Sequence, residues 1–289
     1  MRGFSVCLLS LFCLVESLVA RSAGDDLIYS ENEDKEIFKR YIEYVADRGD
    51  ISMGDLMVKG AMFFLDVPYV ASTLEREPEG LVVNLRELDC TTFAESLLAL
   101  SRTVSAGSSS FDDYCDNLRE LRYRDGKIGD YTDRLHYMAD WFYENERKGI
   151  VADMGEEVGG IPLPLQLSFI STHPDSYKQL KGNAELTEKM AAKEREINER
   201  SFNYYLPKGD IDRCSSNIKN GDILCFVTTI KGLDVTHVGI AYWRGKELTF
   251  IHASSSAKRV IVQEGTLKQY CDGMKSCRGI FVARPKAAI

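Results

Sequence analysis

The chain has 289 residues, of which 44% are hydrophobic and 28% charged, values typical of a protein that folds around a sizeable core. Its formal net charge is −8, and the basic residues are scattered along the sequence instead of forming a block, which argues against a nucleic-acid partner. The length allows one large domain or two smaller ones.

The first twenty residues have the pattern of a secretory signal. Arg2 precedes an apolar run over residues 4–15, and a more polar stretch then ends at the small residue Ala20. A charged start, a short apolar segment and a small-residue cleavage site are typical of export. The run is shorter than the roughly 20 residues that a membrane span needs, and Glu16 interrupts it. We expect cleavage after Ala20, or as late as residue 23, and a periplasmic or extracellular mature chain without stable membrane insertion.

Two helices and two extended pieces are predicted in the first ninety residues. The apolar stripe of an amphipathic helix over residues 33–45 is formed by Ile37, Tyr41, Tyr44 and Val45, and a second helix is expected to start after Ser52. Residues 67–70 are typical of a strand or turn. Residues 82–85 form a short apolar piece that is expected to be extended.

Cys90 stands where an apolar helix is predicted to begin. Phe93 and Leu97 repeat at helical spacing, and Thr92 with Glu95 fits a capping box at the helix start. The free N–H groups and the positive dipole of a helix start can lower the pKa of a thiol and stabilise an oxyanion. Cys90 is therefore a candidate nucleophile, although a buried cysteine taken alone is more often a packing residue.

The middle of the chain, about residues 111–201, is predicted to be mostly helical. Helices are expected over residues 111–121, 131–143 and 184–199, and a loop rich in glycine and proline over residues 155–164.

The last third of the chain differs in composition. Four runs rich in β-branched and aromatic residues predict consecutive antiparallel strands, at residues 223–229, 237–243, 248–252 and 280–284. Helices first and an antiparallel sheet afterwards indicate the α+β class.

The sequence contains four histidines: His136, His173, His237 and His252. A cysteine nucleophile needs a base, and the base needs a third group that fixes its tautomer. His237 and His252 lie on two predicted strands joined by a short hairpin, which can bring both rings together on one face. A cysteine at a helix start that precedes a strand histidine is compatible with a papain-like order.

Six cysteines lie beyond the predicted signal, and export would permit disulfides among them. Two pairs are near in sequence, Cys271 with Cys277 and Cys214 with Cys225, whereas Cys115 has no such neighbour. The sequence does not decide which pair bonds. It contains no Cys-x-x-Cys and no zinc-ligand spacing, so no metal site is predicted.

Four segments carry a resemblance to a known family: Asp89-Cys90-Thr91-Thr92-Phe93, Gly221-Asp222-Ile223-Leu224, His237-Val238-Gly239-Ile240-Ala241-Tyr242 and Phe250-Ile251-His252-Ala253. They resemble the NlpC-type cysteine peptidases of bacterial cell walls, which belong to the papain-like superfamily. The usual pattern at the cysteine is Asp-Cys-Ser-Gly-Phe, and here Thr91 and Thr92 replace Ser-Gly. The resemblance covers about residues 41–284.

The departure at Thr91 and Thr92 is similar to one branch of these enzymes, long classed as a domain of unknown function. Further motifs support that branch: Thr73-Leu74-Glu75, Tyr123-Arg124, Arg134-Leu135-His136-Tyr137 and Asp140-Trp141. Members of the branch act as N-acetylmuramoyl-L-alanine amidases. The resemblance therefore implies a hydrolase that cuts the amide between the muramoyl lactyl group and L-Ala in peptidoglycan or its fragments, with no metal or other cofactor.

The resemblance also assigns roles to residues of this chain. It implies Cys90 as the nucleophile, His237 as the base and His252 as the orienting residue. Pro68-Tyr69 matches the position of an active-site tyrosine whose hydroxyl frames the oxyanion, although Tyr69 could equally be a packed aromatic. The implied fold is an NlpC-type core, in which the nucleophile helix lies on the C-terminal antiparallel sheet, with a mostly helical insertion. We expect one catalytic domain over residues 25–289, acting as a monomer.

The stem peptide of such a substrate carries carboxylates, which arginine binds well. Arg124 and Arg134, with His136 beside them, are the candidates in the helical region, and ordinary salt bridges are the alternative. Two other functions remain open at this point: an endopeptidase that cuts between D-Glu and a diamino acid, and a non-catalytic wall-binding protein.

Overall fold

The computed structural model describes residues 27–47, 49–200 and 203–288, so the predicted signal lies outside the described residues. The α-helices in these ranges are α1 (Asn32–Val45), α2 (Met53–Phe63), α3 (Cys90–Ser105), α4 (Phe111–Arg122), α5 (Met138–Arg147), α6 (Phe169–Thr172), α7 (Ala184–Asn198), α8 (Ile211–Cys214) and α9 (Leu267–Gly273). The strands are β1 (Ile28–Tyr29), β2 (Leu81–Val82), β3 (Val151–Asp153), β4 (Ile161–Leu163), β5 (Asn203–Pro207), β6 (Ile223–Thr228), β7 (Val235–Arg244), β8 (Glu247–Ser254), β9 (Arg259–Val262) and β10 (Cys277–Pro285).

Most of the strands form one antiparallel sheet. Its order is β4-β5-β10-β6-β7-β8-β9, and β3 also pairs with β10. Strands β1 and β2 pair in parallel as a separate ribbon. The four strands predicted in the last third are present as β6, β7, β8 and β10, and most helices precede them, so the predicted α+β class is confirmed.

The central strands are buried on both faces, which explains their continuous apolar sequence. Along β6, Ile223 and Cys225 face a core formed with α1 to α5, whereas Leu224 and Phe226 face a second core formed with α8 and α9. This alternation follows the two-residue period of a strand. Each side chain of this size stabilises the fold by about 1.5–3 kcal/mol when it is fully buried. A third, smaller core lies between α6, α7 and the turn near Tyr131.

Local capping accounts for the helix starts that the sequence predicted. Ser52 ends the turn before α2, and its Oγ accepts the N–H of Asp55 at 3.1 Å. Ser110 caps α4 in the same way through Asp113. Such caps are worth about 1 kcal/mol, and they can be recognised in the sequence because the capping residue is a near neighbour. Within the described ranges, no helix has the length and apolarity that a bilayer span requires.

One predicted helix starts at a different place. The helix expected over residues 131–143 begins at Met138, and residues 131–133 form a short 3-10 turn capped by Asp130. The Asp234 carboxylate accepts the N–H of Ala139 at 2.8 Å and so caps α5 from the loop before β7. Because this cap comes from far along the chain, local sequence placed the helix start too early.

The cysteines of the described ranges are unbonded, and their positions separate the two predicted pairs. Cys225 belongs to the first core and Cys214 to the second, so the sheet lies between them. Cys271 and Cys277, by contrast, both lie in the second core, where each thiol shifts the pKa of the other. The fold therefore leaves Cys271 and Cys277 as the pair that could form a disulfide.

Candidate active site

Helix α3 begins at Cys90, and the residue before it is the cap. One carboxylate oxygen of Asp89 accepts the N–H groups of Thr91 at 3.0 Å and Thr92 at 2.7 Å. In return, the Thr92 hydroxyl accepts the N–H of Asp89 at 2.8 Å. The capping box is therefore Asp89 with Thr92, and the predicted box of Thr92 with Glu95 is wrong. Among the described residues, the N–H of Cys90 itself donates to no partner.

The Cys90 thiol lies against strand β7. The backbone N–H of Val238, the neighbour of His237, favours the thiolate form of Cys90 and so acts to lower its pKa, as do the hydroxyl and the N–H of Thr91. Burial and the Asp89 carboxylate nevertheless raise the pKa of Cys90 to about 11, because they outweigh these donors. The lowered thiol pKa expected from the helix start is therefore wrong for the free protein.

This raised pKa predicts the reactivity of the thiol. Alkylation of Cys90 by iodoacetamide is expected to be slow at pH 7 and to accelerate about tenfold per pH unit up to pH 10, because only the thiolate reacts. Peptide mass spectrometry over a pH series measures the rate at this one cysteine. A small thiol compound with an ordinary pKa is the control, and its alkylation rate should reach a plateau at lower pH than that of Cys90. An alkylation rate of Cys90 that does not change between pH 6 and 8 would contradict the raised pKa.

The two strand histidines meet, as the hairpin predicted. His237 Nε2 and His252 Nδ1 are 2.6 Å apart, and the rings are nearly perpendicular with centroids 4.8 Å apart. His252 is buried and its Nε2 lies 3.2 Å from Oε1 of Gln263, whereas His237 is half-buried. Burial lowers the pKa of His237 to about 3 and that of His252 to about 4, so both rings are neutral at pH 7.

Aromatic rings surround the histidine pair. The centroids of the Phe250 and His252 rings are 4.7 Å apart. Residue 239 is a glycine, and this leaves room for Phe250, because a Cβ at that position would come within 2.6 Å of the Phe250 ring. Tyr270 of α9 contacts both imidazoles, with centroid distances of 6.2 Å to His237 and 5.9 Å to His252. Burial, and next the charge of a Cys90 thiolate, raise the pKa of Tyr270 to about 12. Tyr270 therefore lies near the thiol and the histidines at once.

Tyr69 lies in a segment that pairs with the residue before the α3 cap. Its N–H donates to the carbonyl of Lys258 at 2.9 Å, and its neighbours exchange hydrogen bonds with Leu88, just before the α3 cap. Burial, followed by the charges of Cys90 and Asp89, raises the pKa of Tyr69, so the phenol keeps its proton at pH 7. The charge of Cys90 thus acts on Tyr69, and the role of Tyr69 at the oxyanion stays a prediction.

Comparison with known proteins identifies the family of the chain. A family model described as N-acetylmuramoyl-L-alanine amidase-like, and named AmiA-like, matches residues 60–280. The chain belongs to the AmiA-like family. This is a different family from the NlpC-type enzymes that the motifs resemble, so kinship with NlpC-type and papain-like enzymes stays a prediction. No curated protein matches this AmiA-like chain.

Solved structures include relatives of this AmiA-like chain. An N-acetylmuramoyl-L-alanine amidase from Bacteroides uniformis is 40% identical, with a TM-score of 0.78 over 81% of this chain and 99% of the other. A Bacteroides fragilis protein that bears the name of a xylanase is also 40% identical, with a TM-score of 0.74 over 78% and 98%. A Legionella pneumophila protein shares the fold at 20% identity, with a TM-score of 0.67 over 89% and 96%.

The predicted substrate-binding residues of the helical region have partners within the protein. Arg134 pairs with Glu79 at 2.9 Å and with Glu75 at 3.1 Å. Arg124 pairs with Asp140 at 2.5 Å. These ion pairs favour the structural alternative for both arginines, and their contact with substrate stays a prediction.

His136 likewise has an internal partner. Its Nε2 lies 2.8 Å from the carbonyl oxygen of Tyr131, and its ring contacts the Tyr131 ring. Burial, and next the charge of Arg134, lower the pKa of His136 to about 3, so the His136 ring is neutral and offers no positive charge of its own to a carboxylate. Substrate binding by His136 therefore also stays a prediction without support from these contacts.

Sequence reasoning missed two residues at the histidine pair, Gln263 and Tyr270. Gln263 follows a four-residue strand, and Tyr270 lies on a seven-residue helix, and neither element was predicted. Both residues lie close in sequence to His252. A search for polar and aromatic residues shortly after that strand could have proposed them.

Proposed function

We propose that this AmiA-like chain is an N-acetylmuramoyl-L-alanine amidase with Cys90 as its nucleophile. The observation that carries the proposal is the neutral, hydrogen-bonded pair of His237 on β7 and His252 on β8, because Val238, the neighbour of His237, acts on the Cys90 thiol. A neutral imidazole can take the proton of a thiol, and a thiol at a helix start can serve as the nucleophile, which is the chemistry that acyl transfer needs.

In the proposed first step, sulfur bonds to the carbonyl carbon of the lactyl group while His237 takes the thiol proton. The carbonyl π electrons move to oxygen and form an oxyanion. His237 then returns the proton to the nitrogen of L-Ala, the C–N bond breaks, and the stem peptide leaves. The lactyl group remains on Cys90 as a thioester.

Water completes the proposed cycle. His237 takes a proton from water, whose oxygen bonds to the thioester carbon and forms a second tetrahedral intermediate. The C–S bond breaks, sulfur regains its proton from His237, and the lactyl carboxylic acid leaves. The residues named here supply nucleophile, base and acid, and His252 holds the base in place.

The oxyanion has two candidate donors. Asp89 already occupies the N–H groups of Thr91 and Thr92, so the helix start offers the N–H of Cys90. The protonated hydroxyl of Tyr69 is the second candidate, since the pKa of Tyr69 is raised. Each such donor can contribute about 2.7–4 kcal/mol to the transition state.

The name of the Bacteroides fragilis relative raises glycoside hydrolysis as an alternative. That reaction uses two carboxyl groups, about 5–9.5 Å apart, on either side of the scissile bond. Among the described residues that contact Cys90 and the histidine pair, Asp89 supplies a carboxylate, and its oxygen is engaged in the helix cap. The surroundings of Cys90 therefore favour amide hydrolysis.

We also propose that the substrate is peptidoglycan or its fragments and that the chain is exported. The family description supports the substrate class. Export rests on the pattern of the first twenty residues. Action as a monomer is part of the same proposal.

A defined disaccharide peptide tests the reaction. We expect the wild-type enzyme to release the intact stem peptide with a free L-Ala amine, because the proposed bond lies between the lactyl group and L-Ala. Mass spectrometry of the products makes the measurement, and boiled enzyme is the control. Release of a peptide that begins at the diamino acid would indicate the endopeptidase, hydrolysis of xylan would indicate the glycosidase, and no cleavage would contradict the amidase.

A further inference from the structure

We propose that Gln263 is a positioning residue that fixes the tautomers of His252 and His237 and thereby leaves a lone pair on Nδ1 of His237. The inference deepens the proposed function, because that lone pair is the base in the acyl transfer. Gln263 follows directly after β9, and its Oε1 lies 3.2 Å from Nε2 of His252. Neither the family description nor the relatives' names assign it a role.

The orientation of the Gln263 amide is set by its other contacts. Its side-chain NH2 donates to the carbonyl of Glu264 at 2.8 Å, so Oε1 is the atom that faces His252. The backbone is held as well, since its N–H donates to the Phe250 carbonyl and its carbonyl accepts the Thr249 hydroxyl, both at 2.9 Å. A flipped amide would place its oxygen against the Glu264 carbonyl, which is unfavourable.

An amide oxygen can only accept, and this decides where the protons are. His252 must donate from Nε2, and because the ring is neutral, its Nδ1 carries a lone pair. That lone pair accepts from Nε2 of His237 across 2.6 Å. The proton of the neutral His237 ring is therefore on Nε2, and its Nδ1 is free to take a proton. One amide oxygen thus orders two imidazoles in series.

Other ionisable groups near the pair are neutral at pH 7 and do not replace this ordering. Cys90 faces it from α3 and Tyr270 from α9, with pKa values raised to about 11 and about 12. The carboxylate of Asp89 acts on the pKa of the thiol, and one of its oxygens caps α3. Among the described residues, Gln263 is the one that accepts from His252 Nε2.

The tautomers can be read without substrate, in the full mature chain labelled with ¹⁵N in its histidines. We expect the wild type to carry its protons on Nε2 of both rings. Gln263→Met, which is similar in size but lacks an acceptor, should give His252 a mixture of tautomers. Gln263→Glu keeps the acceptor and should keep the wild-type tautomers. Protonation of Nδ1 in wild-type His252, or an unchanged pattern in Gln263→Met, would overturn the proposal.

Activity on a muropeptide gives a second readout. Gln263→Met should lower kcat roughly 10- to 100-fold with little change in KM, as is typical when an orienting partner of an active group is lost. Gln263→Glu should restore most of kcat, and its charge should move the acid limb of the pH profile to higher pH by raising the pKa of His252. Gln166→Met, the same change at an exposed position, is the matched control.

The two readouts separate this inference from the proposed function. A wild type that shows the expected tautomers but cleaves no muropeptide would refute the amidase and leave the ordering by Gln263 standing. A wild type that cleaves, while Gln263→Met keeps both kcat and the tautomers, would refute the role of Gln263 alone. Thermal unfolding of both variants shows whether the fold is retained.

Discussion

Replacing Cys90 with alanine is expected to lower kcat/KM for a defined muropeptide by a factor on the order of 10⁴ to 10⁶, as for other covalent nucleophiles. Alanine cannot form the thioester, so the acyl group has no carrier. The fold should persist, because Asp89 continues to cap α3 through the N–H groups of Thr91 and Thr92. Initial rates of stem-peptide release, with thermal unfolding in parallel, make the measurement.

A second cysteine supplies the matched control. Cys115 of α4 is buried in the first core, and Cys115→Ala makes the same chemical change there. This variant should lose stability through the small cavity it creates while it keeps kcat/KM within a few fold. A purified Cys90→Ala enzyme that cleaves at the wild-type rate would exclude Cys90 as the nucleophile.

The resting state of the proposed pair is neutral, and this shapes how the reaction starts. Burial raises the pKa of Cys90 to about 11 and lowers that of His237 to about 3, so neither group is charged at pH 7. The thiol proton must then move to the imidazole as sulfur attacks. Hydrogen bonds from the Cys90 N–H and the Tyr69 hydroxyl to the acyl oxygen would stabilise the negative charge on that oxygen as it forms.

Parts of the fold and of the site could be predicted because their causes are local. Ser52 and Ser110 cap helices within three residues, and the apolar runs of β6 and β8 show strands buried on both faces. The hairpin between β7 and β8 brings two histidines that are 15 positions apart onto one face. The position of Cys90 at a helix start could also be predicted, because the start of α3 follows from residues near it in the sequence.

Other parts depended on contacts between distant segments, which one sequence does not reveal. Asp234 begins α5 from the loop before β7. The pKa of Cys90 depends on how deeply the helix start is buried, and the capping rules contain no such information. The Glu95 side chain was predicted to cap α3, yet it reaches across to Arg122 of α4. That last pair has the largest consequence for stability.

Arg122→Met is expected to destabilise the protein by about 3–5 kcal/mol at pH 7, the usual result of leaving one charge of a buried pair alone. The Arg122 and Glu95 side chains are 2% and 4% exposed, and Nε lies 2.6 Å from the Glu95 carboxylate. Arg122 also donates to the Val82 carbonyl at 2.6 Å and so ties β2 to the helix that begins at Cys90. Urea unfolding gives the change in the free energy of unfolding.

The stability lost in Arg122→Met should depend on pH, and the burial of Glu95 sets the direction. Burial already raises the pKa of Glu95, even with Arg122 beside it, and removal of the cation should raise it further. When the pKa of an acid is raised by folding, the folded protein is most stable with that acid protonated. The stability that Arg122→Met loses should therefore be small at pH 4 and grow towards pH 8. Glu95→Leu added to Arg122→Met removes the orphaned carboxylate and should recover much of the loss.

An exposed pair shows whether burial is the cause. Arg195 and Glu188 form an ion pair with side chains 62% and 73% exposed, so Arg195→Met should cost less than about 1 kcal/mol and show little pH dependence. If Arg122→Met were as mild as Arg195→Met, the Glu95 carboxylate would have to be reached by water in solution. The tie between α3, α4 and β2 would then not hold the start of α3 in place, and the position of Cys90 would depend on its cap at Asp89.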